Sequence, residues 1–176
     1  MKRGLLIAGV ALSVFVLAAE VEAQDAPGFQ KGDRTLALSG SGSSDKDFDA
    51  STASIQVGLG WFIADNVAAG VRQGVSFADV SGNDAWNGST RVGLDYFLNL
   101  GRCKPFVGAN LGYLYGDTVK EQFIAGPDVG VRHFVNDTTF INLVVEYQFL
   151  FEDADEAEDA YDDGRFVYAL GMGVKW

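Results

Sequence analysis

The feature that most restricts this chain is a two-residue alternation of large apolar side chains with small or polar ones, kept up over most of its length. Odd positions from Ala53 to Ile63 read Ala, Ile, Val, Leu, Trp, Ile, and between them lie Ser54, Gln56, Gly58, Gly60 and Phe62. Ile141 to Phe151 and Phe166 to Trp176 repeat the pattern, and weaker copies lie near 34–41, 67–77, 90–98, 105–115 and 123–134. A period of two is the signature of strands with two different faces. Beyond the first two dozen residues, no window of helical length keeps a 3.6-residue apolar period. The pattern predicts eight strands, most of about nine to twelve residues, long for a globular protein but suited to tilted strands that cross a bilayer.

The connections support that reading. Three are short: 64–66, 99–104 and 135–138. Four are longer or more polar: 42–50, 78–89, 116–121 and 152–164. Short turns at one rim and longer loops at the other describe an up-and-down transmembrane barrel, and an even strand number returns both termini to the short-turn rim.

Composition decides which face is inside. Eleven glycines fall on the polar parity: Gly58, Gly60, Gly70, Gly74, Gly93, Gly108, Gly112, Gly126, Gly130, Gly171 and Gly173. On a water-facing sheet surface glycine weakens the strand for no gain. Inside a narrow barrel it makes room for larger neighbours. The large polar residues of that parity carry both signs: Arg72, Arg91, Asp95, Asp128, Arg132 and Glu146. They are expected to form a paired interior network, since unpaired charges away from water are costly. The opposite parity is almost free of charge, as a lipid-facing band must be.

Aromatic residues add two levels. Phe62, Phe97, Phe106, Phe134 and Phe140 share the inward parity, each within about three residues of a short turn. They are expected to plug the barrel at that end, unless a β-bulge moves one out of phase. Outward aromatics form girdles, with Trp61, Tyr96 and Trp176 at the short-turn rim. Phe77, Tyr115, Phe149, Phe151, Phe166 and Tyr168 form the other, at the loop rim.

The N-terminus reads as an address. Lys2 and Arg3 precede sixteen uncharged residues, Gly4–Ala19, and Val21-Glu22-Ala23 places small residues at the −3 and −1 positions of a cleavage site. This is the order of a secretory signal peptide over residues 1–23, leaving a mature barrel of residues 24–176. Sixteen residues fall short of the roughly 20 that a spanning helix needs.

The formal charge is −11. That balance excludes nucleic acid as an expected partner, because phosphate backbones select basic faces. Fifteen of the 24 acids fall in the four longer loops, against only Lys46 and Lys120 there. The last loop is densest, with eight acids between Glu152 and Asp163 and no base. Its carboxylates Asp153, Asp155, Glu156, Glu158, Asp159, Asp162 and Asp163 are candidate ligands for surface Ca²⁺ or Mg²⁺, which would bridge to lipopolysaccharide. Glu158 stands where an EF-hand loop needs Gly, so that motif is excluded. The competing reading is a solvated acidic surface with no bound ion.

The C-terminal run Tyr168-Ala-Leu170-Gly-Met172-Gly-Val174-Lys-Trp176 resembles the terminal strand of bacterial outer-membrane proteins. Such strands end on an aromatic with apolar residues at alternate positions before it. The resemblance implies that Tyr168, Leu170, Met172, Val174 and Trp176 are the signal read by the barrel assembly machinery. The stretches 105–113 and 126–134 are similar to ones in the bacterial outer-membrane β-barrel domain family, which includes small barrels of the OmpA and OmpX kind. The chain departs from OmpA-type proteins in ending at Trp176, so a peptidoglycan-binding domain and direct cell-wall tethering are not expected.

Catalytic signals are sparse. His133 is the only histidine and is expected to face outward near the short-turn rim. Barrel enzymes acting on outer-leaflet lipid, which use a His and a Ser, would need it at the other rim. Cys103 is expected in a turn, without a role. The Gly58/Gly60 and Gly171/Gly173 pairs follow strand period and open no helix, so they are not nucleotide loops. Neither an enzyme nor a resident cofactor is expected.

The sequence therefore describes an all-β, eight-stranded antiparallel up-and-down transmembrane barrel in a Gram-negative outer membrane, in contact with lipid and lipopolysaccharide. Its expected role is structural or interactive at the cell surface, with a plugged interior. A narrow porin-like channel is the alternative within the fold, and a secreted lipocalin-like ligand-binding barrel is the alternative outside it.

Overall fold

A computed structural model of the chain describes residues 28–44, 50–80, 83–117, 119, 121–151 and 164–176. Eight strands follow one another: β1 (Arg34–Ser44), β2 (Ala50–Ala64), β3 (Val67–Val80), β4 (Asn83–Phe97), β5 (Cys103–Gly116), β6 (Gln122–Phe134), β7 (Thr139–Phe151) and β8 (Arg165–Lys175). Each pairs antiparallel with the next, and β1 pairs with β8 from Thr35↔Lys175 to Gly40↔Leu170, closing the barrel. Closure leaves no strand of the sheet without a partner on either side, which a wall facing hydrocarbon requires. The signal-peptide stretch 1–23 lies outside the described residues.

The alternation divides the wall as the sequence reading expected. Leu36, Leu38, Ile55, Val57, Leu59, Val92, Leu94, Val107, Leu111, Leu170 and Met172 all point outward and are exposed. Thr35, Ser39, Arg91, Asp95, Asn110, Asp128, Asn142 and Glu146 point inward and are buried. This inversion of the usual water-soluble arrangement, with polar groups buried and large apolar ones exposed, fits a wall solvated by lipid.

The strands run longer than the alternation suggests, at 11 to 15 residues. A fifteen-residue strand tilted by about 45° covers roughly 35 Å of barrel height, more than the ~25 Å apolar band. The excess appears at the loop rim. Residues 78–89, expected as a long loop, are mostly strand: β3 and β4 stay in register from Phe77↔Trp86 to Val80↔Asn83. Backbone pairing continues wherever two strands stay adjacent, and polar side chains above the aromatic girdle do not interrupt it. Cys103, expected in a turn, is the first residue of β5 and is buried.

At the opposite rim the β2–β3 turn is held by Asn66, whose φ of +61° is the left-handed conformation that Asn tolerates. A register shift between Phe62 and Ala64 precedes it. The bulge leaves Phe62 itself paired with Ala68 and facing inward.

Candidate functional site: the barrel interior

The inward residues of neighbouring strands are brought level by the register, so side chains far apart in sequence stack in layers. The lowest layer, at the short-turn rim, is aromatic. Phe62, Phe97, Phe106, Phe134 and Phe140 are each at most 4% exposed. They pack in a chain of tilted rings, with centroids 5.5 Å apart for Phe62 and Phe97, 5.0 Å for Phe97 and Phe106, and 5.4 Å for Phe134 and Phe140. Offset and tilted contacts at these spacings are the ones aromatic quadrupoles favour.

A sixth ring completes the layer and comes from outside the strands. Phe29 precedes β1, yet it stacks on Phe62 at 4.1 Å and meets Phe97 edge-on at 4.8 Å. Strand periodicity could not have found it, because the residue belongs to no strand.

Glycine makes the layer possible. A Cβ on Gly130 would lie 2.6 Å from Cε1 of Phe106, closer than real Cβ atoms approach a ring. The Phe106 ring therefore lies across the Gly130 backbone on the adjacent strand, with which it is in register.

Cations border the rings. The guanidinium of Arg132 lies 4.7 Å from the Phe97 centroid and 5.0 Å from that of Phe140. It also donates to Oγ1 of Thr35 and Oδ1 of Asn142, both at 3.3 Å. Among the described residues it makes no ion pair within 4 Å. Arg132 thus belongs to the aromatic layer, while the other five residues of the expected network lie together above it. Desolvated cation–π contacts of this kind contribute about 2 kcal/mol. Lys104, completely buried, donates to Oδ1 of Asn99 at 2.6 Å and to the Gly101 carbonyl at 2.7 Å. Its inward parity was readable, but position alone did not distinguish it from a rim residue.

The middle layer is the charge cluster. Arg72 pairs with Asp95 at 2.9 Å through two hydrogen bonds from Nη2, and its Nη1 donates to Asp128. Glu146 lies 4.0 Å from Arg72 and accepts from Arg91 Nη1 at 2.5 Å. Arg91 also donates to Gln56, and Gln148 Nε2 donates to the second Glu146 oxygen at 2.7 Å. Arg165 Nε reaches Gln148 Oε1 at 2.9 Å. Gln56, Gln148 and Asn110 were not singled out from the sequence, although their parity matches, because neutral amides give no charge signal; Arg165 fell between the expected last loop and the expected last strand, and the structure makes it the first residue of β8. Formal charge among Arg72, Arg91, Asp95, Asp128 and Glu146 leaves one negative unit, with Arg132 just below. Such a cluster is held by geometry and not by screened surface attraction.

Gly108 sits at the centre of this layer. A Cβ there would collide with the carboxylates of Asp95 and Asp128, and would lie 2.8 Å from the Leu94 carbonyl. The missing side chain is what lets both carboxylates converge on one arginine.

Space inside is small. A polar cavity of about 30 Å³ separates the two layers, lined by Thr35, Gln56, Arg72, Asp95, Arg132 and Asn142. That is room for a water molecule or two. Above the charge cluster a vestibule of about 200 Å³ faces the loop rim, bordered by Ser54, Ser76, Asn87, Ser89, Arg91 and Arg165.

The outward aromatics stand at two levels. Trp61, Tyr96 and Trp176 are exposed near the short turns, and Phe77, Phe166 and Tyr168 near the loops. Trp86, Phe123 and Tyr147 join the upper group through edge-on contacts with Tyr115, Tyr113 and Phe166. His133 faces outward, in register with Cys103 and Ile141, so neither of its cross-strand neighbours is a serine. Tyr168, Leu170, Met172 and Val174, expected to form the assembly signal, lie on the outward face of β8, with Trp176 just beyond it. The seven carboxylates considered for Ca²⁺ or Mg²⁺, from Asp153 to Asp163, lie outside the described residues. No group of three or more His, Cys, Asp and Glu able to hold a metal occurs among the described ones.

No family model and no curated protein matches this sequence. Solved structures do resemble it. The N-terminal β-barrel domain of Pseudomonas aeruginosa OprF superposes with a TM-score of 0.59 at 15% identity, over 84% of this chain and 98% of that one. The outer membrane protein OprG of the same organism gives 0.59 at 14% identity, over 85% and 98%. Yersinia pestis Ail gives 0.54 at 11% identity, over 82% and 99%. With a closed antiparallel sheet of eight strands, a polar interior and an apolar outer wall, this chain has the fold of the small eight-stranded outer-membrane barrels.

Proposed function

We propose that this protein is a non-enzymatic barrel of the Gram-negative outer membrane, closed to bulk ion flow, that acts in envelope integrity or adhesion through its outer rim. The observation that carries the closed reading is the filling of the lumen at two successive levels. Six buried rings occupy the lower one, and the Arg72–Asp95–Asp128 and Arg91–Glu146 pairs occupy the upper. A conducting pore needs a continuous wet path, and the 30 Å³ between these layers is enclosed by both. The porin-like alternative would require both layers to open together.

Membrane placement is supported by the exposed belt of Leu, Val and Ile between two aromatic levels. A secreted ligand-binding barrel would present that belt to water, at a prohibitive cost in exposed apolar area. The acidic loops make the outer rim the chemically distinctive surface, suited to hydrated or cationic partners, with lipopolysaccharide as the neighbouring lipid. On this reading the periplasmic end carries the termini, and the last strand carries the assembly signal.

Two measurements test the proposal. Unboiled protein refolded in detergent should migrate differently on a gel from boiled protein, as membrane barrels do. A chain soluble without detergent and lacking that shift would end the membrane reading. Planar-bilayer recording of the purified protein should show no stable open level, and a sustained conductance would overturn the closed reading.

A further inference from the structure

Of the six rings in the lower layer, five are fixed to strands and one is not. Phe29 hangs on a strap, Gly28–Asp33, that turns back under the barrel through Gly32, whose φ of +97° suits only glycine. Among the described residues, five polar contacts tie the strap to the barrel, one of them from Phe62 N to the Asp33 carbonyl at 2.9 Å. Asn66 N donates to the Phe29 carbonyl at 3.2 Å and Gly32 N to the Phe62 carbonyl at 2.8 Å. Lys31 N donates to Asp65 Oδ1 at 2.9 Å, and Lys175 pairs with Asp33 at 3.2 Å. The anchors Asp65, Asn66 and Lys31 lie at the rim, where water competes for them. The ring, by contrast, is 2% exposed and seated among Phe62, Phe97 and Phe134. The polar contacts hold the strap's backbone, and the ring itself is held by its fit into the cup.

We propose that the five strand-borne rings, with Arg132 behind them, form a binding cup for an aromatic side chain, and that Phe29 is its intramolecular occupant: a detachable cork sealing the polar cavity from the periplasm. Three observations converge on this. The rings of the cup come from five strands, β2, β4, β5, β6 and β7, and three of them, Phe62, Phe97 and Phe134, meet the Phe29 ring. The Arg132 guanidinium lies 5.9 Å from the Phe29 centroid, adding a cation–π contact that favours an aromatic over an aliphatic occupant. The cavity that Phe106 and Arg132 share with the ring layer is also bordered by Thr35 and Asp95, so opening the floor would admit water to a site that can hold it. The inference deepens the closed-barrel reading: it names which part of the closure is removable, and what chemistry, an aromatic ring on a flexible tether, can replace it.

The test places a thiol in the cavity wall. Val144, 7% exposed, borders both the ring cluster and the cavity. Val144→Cys in a Cys103→Ser background would be refolded in detergent and treated with a small cationic methanethiosulfonate reagent. With Phe29 in place labelling should be slow. With Phe29→Ala added it should accelerate at least about tenfold, since access then no longer waits on strap opening. Millimolar N-acetylphenylalaninamide should restore protection by filling the vacated seat, and Phe29→Leu should give an intermediate rate. Asp65→Ala, which removes one of the strap's contacts while leaving the ring intact, should raise the rate by a smaller factor and carries the test if Phe29→Ala does not fold. Equal rates with and without Phe29, or unchanged protection in Asp65→Ala where that variant stands alone, would overturn the proposal. So would fast labelling while Phe29 is present. Failure of N-acetylphenylalaninamide to protect would overturn the binding cup. The closed-barrel reading is judged separately, by the conductance of the unmodified protein.

Discussion

The two halves of the lumen are filled by opposite means. Near the short turns, six phenylalanines exclude water by packing ring on ring. One layer higher, three acids and two arginines fill a similar cross-section with paired charges. The first layer tolerates approximate geometry, because dispersion and apolar burial are non-directional. The second does not: each carboxylate is stable only while a guanidinium faces it. The lower layer can therefore take in a ring from outside the strands, Phe29, while the upper one must keep all its partners.

Removing the central cation should separate the two layers most strongly. Arg72→Met leaves Asp95 and Asp128 without their main partner. It should cost roughly 3 to 5 kcal/mol in a urea titration of the refolded barrel. The loss should change little between low and high salt, because buried pairs are poorly screened. In the aromatic layer, Phe97→Ala removes a ring that is completely buried and touches Phe29, Phe62 and Phe106. About 3 kcal/mol is expected, the low end of the usual range, because neighbouring rings can lean into the gap. A loss below about 1 kcal/mol for Arg72→Met would mean that the carboxylates do not depend on their guanidinium and that the upper layer is as tolerant as the lower.

The outer wall offers a third contrast. Leu111 is 54% exposed in the middle of β5 and meets lipid, not protein. Leu111→Arg should destabilise the barrel in vesicles by about 2 to 4 kcal/mol, falling in short-chain detergent, where the side chain reaches water. The smallest effect separates two glycines of one parity. Gly108→Ala forces a methyl group between two carboxylates and should cost about 1 to 3 kcal/mol. At Gly58 the added atom would lie an ordinary 3.8 Å from Arg72 Cγ, so Gly58→Ala should be within about 0.5 kcal/mol of neutral. Paired denaturation curves of these two variants would show whether small size is needed throughout the lumen or only where side chains cross it.

Much of this was legible in advance because a barrel wall is a one-dimensional code. Parity placed Arg72, Arg91, Asp95, Asp128, Glu146 and five phenylalanines inside without reference to any contact, since a strand cannot change faces without a bulge. The bulge at Phe62/Ala64 falls just where the phase no longer matters, at the turn. Loop lengths were less legible. The polar run 78–89 was expected as a connection, and hydrogen-bonded pairing absorbed most of it into β3 and β4. Polarity reports what surrounds a residue, and above the membrane both strands and loops are surrounded by water.

By itself the sequence determined strand number, the two faces of the wall, and the levels of charge and aromatic residues, because all of these follow from spacing along one chain. Tertiary structure alone decided which charges meet. Arg72 pairs with Asp95 on the neighbouring strand β4 and with Asp128 across the lumen on β6, while Arg132, of the same parity and sign, rests on phenylalanine rings. It also decided that a residue before the first strand, Phe29, joins the ring layer. Both depend on distances across a closed cylinder, and closure brings together residues whose separation in sequence carries no record of their meeting.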